Sequence, residues 1–332
     1  MKAQLKSIIL KLDISEAFRA ILCMSPLFVA FGLGKISYLP ALGQGGFFFS
    51  TIFLPAKINA RIMLGSIVSA MGLGFYLIGG NVVIYPILAL VFTFFVALNL
   101  SFLSNWRTGG TLALTFIVIY TAGLNSGSPT RSTTNFLLFS FVMLWSTIIS
   151  IIPIWKPIEA PPPIKLTTGE TAEQGVRMGI GTSIALAISY LFKFSKFGWA
   201  PSAVGNIVRY DEKMSKLRAW GRFLGTIGGV SLAVIVMLIT NKLTIFVFSA
   251  VAFGFLNGLS KRTKLGMVPF FYTATILLLY TAQDITNGKA LAIDRVLYNT
   301  IGILIGMLVV LYPFPYLMKH LRHNLDTKDE IF

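Results

Sequence analysis

The sequence predicts an all-α integral membrane protein with about twelve transmembrane helices arranged as two parallel six-helix repeats. Three observations support this fold class. Of the 332 residues, 55% are hydrophobic and 12% are charged, and the mean hydropathy is +0.77. In soluble domains, roughly a quarter of residues are charged. Apolar stretches of about 20 residues recur along the chain, and short motifs recur in the same order in its two halves.

Twelve apolar stretches are interpreted as membrane spans. They cover residues 20–34, 36–54, 62–79, 82–103, 108–124, 134–154, 176–192, 197–210, 221–240, 243–259, 266–282 and 296–317. Because their number is even, both termini lie on one side of the membrane. The predicted organisation is a first membrane repeat (1–155), a Pro-rich cytoplasmic linker (156–175), a second membrane repeat (176–318) and a cytoplasmic tail (319–332).

The positive charge of the chain follows this topology. The net charge at pH 7 is +16, and 21 of the 28 Lys and Arg residues fall in the termini and in alternate loops. The bias matches the enrichment of basic residues on the cytoplasmic side of membrane proteins. The sequence therefore predicts cytoplasmic termini, and its basicity gives no reason to expect nucleic-acid binding.

Internal repetition is the most informative feature of the sequence. The motif LGSI at Leu64–Ile67 reappears as LGTI at Leu224–Ile227, and YTA at Tyr120–Ala122 reappears as YTA at Tyr280–Ala282. Both pairs are separated by the same distance along the chain. Each half contains an even number of predicted spans, so the two repeats have the same orientation. In transporters built this way, the substrate site lies between the halves near the membrane midplane.

The second span of each half carries helix-weakening residues. Pro removes a backbone donor and Gly weakens a helix, so we expect both spans to be broken and to line a substrate site. An ordinary kink is the alternative interpretation. The residues concerned are Pro40, Gly43, Gln44 and Gly45 in the first half and Pro201, Gly205 and Asn206 in the second.

Two arginines and four aromatic or hydroxyl side chains complete the predicted site. Arg61 and Arg222 begin the third span of each half, where they either anchor the helix to lipid headgroups or gather anions. Thr115, Tyr120, Thr275 and Tyr280 offer hydroxyls and rings to a planar acid, or else bond within their own helices. Gly221, Gly225 and Gly229 are spaced four apart, which predicts a helix face that another backbone approaches closely.

Several function classes are excluded by missing motifs. The sequence contains no G-x-x-x-x-G-K-[ST] phosphate loop, and no nucleophile is paired with a base. The two histidines, His320 and His323, lie in the basic tail and are interpreted as a solvated end. The sequence therefore predicts neither an enzyme nor a cofactor or metal site.

The stretch RFLGTIGG, Arg222 to Gly229, follows a basic loop and opens an apolar helix in a repeated six-span half. In this respect the chain resembles the fusaric acid resistance and aromatic acid exporter superfamily, specifically its compact bacterial, membrane-only members. The resemblance implies an inner-membrane efflux component that exports aromatic carboxylates. It also implies a periplasmic adaptor of the membrane-fusion type as a partner.

The resulting hypothesis is an efflux transporter of small organic anions, driven by the membrane potential or the proton motive force. Expelling one negative charge from a negative interior gains about 2.3 kcal/mol per 100 mV. A channel-like anion conductor and a non-transporting membrane scaffold of an envelope complex are the two alternatives. Assembly into a homo-oligomer is left open.

Overall fold

The computed structural model describes residues 12–104, 109–126, 129–158, 166–261 and 269–312. Within these ranges the chain forms thirteen α-helices, a short 3-10 turn at Ile36–Tyr38 and no strand, which confirms the all-α class. The first half contains α1 (Ile14–Met24), α2 (Pro26–Gly32), α3 (Leu39–Ser50), α4 (Ile58–Val82), α5 (Pro86–Ser104), α6 (Gly109–Leu124) and α7 (Pro129–Ile151). The second half contains α8 (Thr168–Leu191), α9 (Trp199–Ile207), α10 (Glu212–Ile239), α11 (Leu243–Leu259), α12 (Phe270–Gln283) and α13 (Gly288–Leu311). The predicted tail and its histidines lie outside the described residues.

Five helices are long and apolar enough to cross a membrane: α4, α5, α7, α10 and α13. A sixth is obtained if α1 and α2 form one span, because these two helices are separated by a bend of 42°. By contrast, α3 has 12 residues and α9 has 9. At 1.5 Å per residue, these helices are about 18 Å and about 14 Å long, short of the ~30 Å hydrocarbon core. The predicted set of twelve full-length spans is therefore not confirmed.

The prolines explain why the second span of each half is short. Pro40 lies at the second position of α3 and Pro201 at the third position of α9. In the first turn of a helix the backbone N–H has no intrahelical partner, so proline is tolerated there. Both helices consequently begin near their proline and continue without interruption. The expectation of a break within these segments is wrong, and the glycines after each proline are helical.

Local capping signals fix where the first predicted span of each half ends. After α2, Gly34 has a φ of +67° and Lys35 N donates to Ala30 O at 2.8 Å. After α8, Lys193 has a φ of +50° and Phe194 N donates to Ser189 O at 2.9 Å. Both ends have the hydrogen-bond pattern of a Schellman motif, whose left-handed residue satisfies the last carbonyls. The shared motif supports the predicted duplication.

Helix α8 begins earlier than the span predicted from the sequence. Thr167 caps α8 by accepting from Glu170 N at 3.2 Å, while the Glu170 carboxylate accepts from Thr167 N at 3.0 Å. This reciprocal capping box satisfies two backbone donors at the helix start. Residues 168–175, which the sequence placed in the linker, are therefore helical.

The chain divides into two compact units. Unit 1 consists of Met1–Leu73, Thr134–Glu159 and Phe223–Val296. Within it, α1 packs on α3 and α11, and α12 packs on α3 and α11. All twelve residues of α3 are buried. This short helix therefore lies in the core of unit 1.

Unit 2 consists of Gly74–Thr133, Ala160–Arg222 and Leu297–Phe332. Within it, α8 packs on α5 and α9, and α6 packs on α5 and α9. Eight of the nine residues of α9 are buried, so this helix occupies the same place as α3 does in unit 1. Helices α4, α7, α10 and α13 contribute residues to both units.

The composition of the units relates them to the two sequence halves. Each unit combines the first helices of one half with the fourth and fifth elements of the other, and the same four helix contacts recur in both. The compact units are therefore not the halves themselves. The repeat boundaries at residues 155 and 176 were predicted from sequence similarity between the halves. The division into compact units does not test this similarity, so the boundaries stay a prediction.

Candidate functional site

The glycines predicted to line a site in unit 1 are packing positions. A Cβ at Gly43 would overlap the Leu279 side chain of α12, and one at Gly45 would overlap Val142 of α7. Gln44 lies between them, is 6% exposed, and makes no hydrogen bond with the described residues. Its role in binding stays a prediction.

The corresponding residues of unit 2 form a small polar cluster around α9. Gly205 packs against Ile117 of α6, where a Cβ would lie 2.7 Å from Ile117 Cγ1. The Asn206 side-chain amide donates to Ser202 O at 2.7 Å, one turn earlier in the same helix. Ser202 is 4% exposed. The cluster therefore places an amide and a hydroxyl inside unit 2.

Arg222 joins this cluster from α10. Its Nη2 lies 3.4 Å from Ser202 Oγ, and its Nε donates to Asn299 Oδ1 of α13 at 3.2 Å. Arg222 is 6% exposed and Asn299 is 1% exposed. The structure thus brings together two predicted site residues, Asn206 and Arg222, through Ser202. An arginine anchored to headgroups extends towards water, whereas this guanidinium contacts Ser202 and Asn299 inside unit 2.

Arg61 has different surroundings in unit 1. It donates to four backbone carbonyl oxygens, with distances of 2.8 Å to Pro55, 3.4 Å to Ser150, 3.1 Å to Ile152 and 2.9 Å to Trp155. Ser150 is near the end of α7, where the last carbonyls of a helix have no intrahelical partner. A cation there also complements the negative end of the helix dipole. The geometry gives Arg61 a capping role at the end of α7.

The predicted wall residues of unit 2 are deeply buried. The Tyr120 hydroxyl lies 2.7 Å from Thr93 Oγ1, and both side chains are 0% exposed. Thr115 is 9% exposed on the same helix, α6. Tyr120 therefore joins α6 to α5 through a buried hydrogen bond. Such a bond contributes about 0.5–1.5 kcal/mol to stability.

In unit 1, Thr275 donates to Ala250 O of α11 at 3.2 Å, which also makes it an interhelical contact. Tyr280, on the same helix α12, is 8% exposed. It interacts electrostatically with Arg295 of α13. Of the predicted wall residues, Tyr280 is thus the one with a cationic neighbour in the structure.

Part of the second half of the chain matches the model of one protein family. The model of a family described as fusaric acid resistance protein-like matches residues 182–309, from the middle of α8 to near the end of α13. This match supports placing the chain in the fusaric acid resistance-like family. Proteins of that description are membrane transporters of the resistance type. No curated protein and no solved structure gives a significant match to the chain.

Within the region matched by the fusaric acid resistance-like family, sequence reasoning missed Arg295. Its side chain is 2% exposed, and its guanidinium carbon lies 5.7 Å from the centre of the Tyr272 ring. Phe47 and Phe48 of α3 lie 5.4 Å and 5.9 Å from the same ring. The sequence placed Arg295 in an outer loop because its span was started at residue 296. The signal available was the apolar stretch on both sides of Arg295, which extends the span back to Gly288.

A second missed feature is a buried ion cluster in unit 1. The Glu16 carboxylate accepts from Arg19 Nη2 at 2.7 Å and from Lys261 Nζ at 2.8 Å. Both cations also donate to the carbonyl oxygens of Ser50 and Ile52, at the end of α3. The cluster therefore ties α1 and the end of α11 to α3. Sequence reasoning treated the charges before the first span as topology signals only.

Among the described residues, no group of three or more His, Cys, Asp or Glu side chains is arranged to hold a metal ion. The chemistry that the arrangement offers is therefore that of guanidinium, amide, hydroxyl and aromatic groups. These groups bind anions and planar rings without forming covalent bonds.

Proposed function

We propose that the protein is an efflux transporter of small organic anions in the cytoplasmic membrane, with aromatic carboxylates as the preferred class. The observation that carries this proposal is the position of Arg222. It lies on α10, one of the helices long and apolar enough to span a membrane, yet it is 6% exposed and contacts Ser202 and Asn299. Ionisable residues that are buried on membrane-spanning helices commonly mark substrate or ion pathways.

The chemistry of the cluster favours an anion as substrate. Guanidinium is permanently charged and presents up to five donors, which suit a carboxylate. Ser202 and Asn299, two of the groups that Arg222 contacts, are neutral hydrogen-bonding side chains. The amide of Asn206, bonded to Ser202, extends the polar surface along α9. In this proposal the carboxylate replaces these weak contacts of Arg222 during transport.

Energy for export comes from the membrane potential or from the proton motive force. A monoanion leaving a negative interior gains about 2.3 kcal/mol per 100 mV, without a co-transported ion. A periplasmic adaptor of the membrane-fusion type would receive the anion on the outer side. This partner, the inner membrane as location and the cytoplasmic termini belong to the proposal.

The proposal predicts a strong effect of Arg222→Gln on uptake of radiolabelled 4-hydroxybenzoate into inverted membrane vesicles. Losing a charge-assisted hydrogen bond of about 1.5–3 kcal/mol should reduce uptake at least tenfold at subsaturating substrate. Arg222→Lys, which keeps the charge, should retain more activity than Arg222→Gln. The matched control is Lys216→Gln on the same helix, because Lys216 is half exposed and pairs with Glu212.

The amount of each variant in the vesicles, and its thermal unfolding temperature in detergent, separate loss of function from loss of fold. Uptake by well-folded Arg222→Gln at the wild-type rate would contradict the assignment of Arg222 to the pathway. A channel-like conductor, the first alternative, would instead give unitary currents in a planar bilayer.

A further inference from the structure

We propose that Arg295, Tyr272, Phe47 and Phe48 form a binding site in unit 1 for planar aromatic monocarboxylates, and that this site selects the ring of the substrate. The inference rests on the proposed function and deepens it, since it assigns ring selectivity to residues outside the Arg222 cluster. It is carried by the burial of Arg295 and by the group of rings around it.

Burial separates Arg295 from an ordinary membrane anchor. It lies about two turns inside α13, a helix long and apolar enough to span a membrane. An arginine that anchors a helix keeps its charged end in water, and its long aliphatic stem lies along the apolar surface. Arg295 is instead 2% exposed, and its guanidinium carbon is 5.7 Å from the centre of the Tyr272 ring. A cation over an aromatic face within about 6 Å is attracted to it.

Tyr272 of α12 lies beside this cation, and two rings of α3 pack against Tyr272. Phe47 and Phe48 lie 5.4 Å and 5.9 Å from Tyr272, with interplanar angles of 39° and 40°. Both phenylalanines are buried, whereas Tyr272 is half-buried. Ring centroids 4.5–7 Å apart are the usual spacing for favourable aromatic contacts. The spacing therefore suits a ligand ring that lies against Tyr272.

The polar groups nearby suit a carboxylate rather than a second cation. Arg295 supplies donors in a planar fork that matches a carboxylate. Gln44 lies one helical turn before Phe47 and Phe48, on the same face of α3, and makes no hydrogen bond with the described residues. Its amide can donate to a ligand oxygen. Phe47 and Phe48 provide the apolar walls, so the site combines one positive charge, one amide and three rings.

The test uses two monocarboxylates of similar size, benzoate and cyclohexanecarboxylate, which differ in whether the ring is aromatic. Full-length protein in detergent is titrated with each acid by calorimetry, and uptake of each is measured in inverted vesicles. We expect wild type to bind and transport benzoate in preference. Tyr272→Leu should lower this preference about fivefold to tenfold, since cation–π and ring contacts together contribute about 1–1.5 kcal/mol.

Charge and ring contributions are separated by three further variants. Arg295→Gln should weaken binding of both acids at least tenfold, since it removes a charge-assisted contact of about 1.5–3 kcal/mol, whereas Arg295→Lys should weaken it less. Phe271→Leu is the matched control: it lies next to Tyr272 on α12, but its ring contacts Phe253 and Phe270. It should leave the benzoate preference unchanged.

The outcomes of the two proposals are distinguishable. If wild type transports organic anions but the preference and affinity are unchanged in folded Tyr272→Leu and Arg295→Gln, the site is overturned and the proposed function stands. If no organic anion is transported, the proposed function fails. Benzoate binding that is lost in Arg295→Gln and kept in Phe271→Leu would still support the site.

Discussion

Replacing Glu16 with Gln is expected to lower the free energy of unfolding by about 3–5 kcal/mol, because it leaves two buried cations without their carboxylate. Glu16 and Arg19 are each 1% exposed, and Lys261 is 9% exposed. Their side chains also hold the carbonyls of Ser50 and Ile52 at the end of α3. Without the carboxylate, the positive charges of Arg19 and Lys261 would both face these carbonyls inside the protein, away from water.

The prediction can be measured by unfolding the purified protein in mixed micelles with increasing denaturing detergent. Glu212→Gln is the matched control, since Glu212 pairs with Lys216 at a half-exposed position, and its removal should cost about 0–0.5 kcal/mol. Lys261→Met should fall between these values, because it leaves the Glu16–Arg19 pair intact. Equal losses for Glu16→Gln and Glu212→Gln would contradict a stabilising role for the cluster.

Gly229→Ala is expected to destabilise unit 1 by about 1–3 kcal/mol through overpacking. A Cβ at Gly229 would overlap the carbonyl oxygen of Phe270 and approach Thr273 Cβ to 2.8 Å. Phe270 is the first residue of α12, and Thr273 lies on the same helix. A backbone carbonyl cannot rotate away from the added methyl group as a side chain can. The added methyl group should therefore push α10 away from α12.

Gly221→Ala is the matched change on the same helix. Nothing lies within 4 Å of a Cβ built at Gly221, so alanine there should be neutral or stabilise the helix by up to about 1 kcal/mol. Thermal unfolding of both variants, followed by circular dichroism, measures the difference. If Gly221→Ala destabilised as much as Gly229→Ala, the described packing of α10 would be wrong.

This comparison also corrects the sequence interpretation of the glycine spacing. Three glycines four residues apart predicted one close-approach face, but Gly221 faces open space while Gly228 and Gly229 contact Phe270. The spacing identifies which residues share a helix face. It does not identify how far along that face a partner helix runs, because this depends on chain segments distant in sequence.

Much of the fold was predictable from composition and periodicity. The apolar character of the chain predicted the all-α membrane class, which is confirmed. The recurring motifs predicted two repeats, and this arrangement stays a prediction. The prolines marked the unusual segments correctly. Their effect was misjudged, because Pro40 and Pro201 start short helices and do not interrupt long ones. Whether a proline starts or kinks a helix depends on whether the residues before it are helical. The hydrophobic pattern before Pro40 and Pro201 does not decide this.

The combination of helices within each unit could not be predicted from the sequence. Nothing local indicates that α1 and α3 pack with α11 and α12 of the other half. For the same reason, the burial of Arg295 and the Glu16 cluster were missed, since their partners lie on distant segments. Arg222 and Asn206 were predicted as site residues because each stood out within its own apolar stretch, and their role stays a prediction. A local pattern shows such conspicuous side chains, whereas it does not show their tertiary partners.

The measurement that tests the account most directly is accumulation of radiolabelled 4-hydroxybenzoate in inverted vesicles under an imposed, interior-positive potential. Because 100 mV is worth about 2.3 kcal/mol for one charge, accumulation should approach about 40-fold at that potential and fall towards unity when it is collapsed. Arg222→Gln vesicles with equal amounts of protein should accumulate far less. Folded wild-type protein that accumulates no aromatic or aliphatic acid, under either a potential or a pH gradient, would contradict organic anion export.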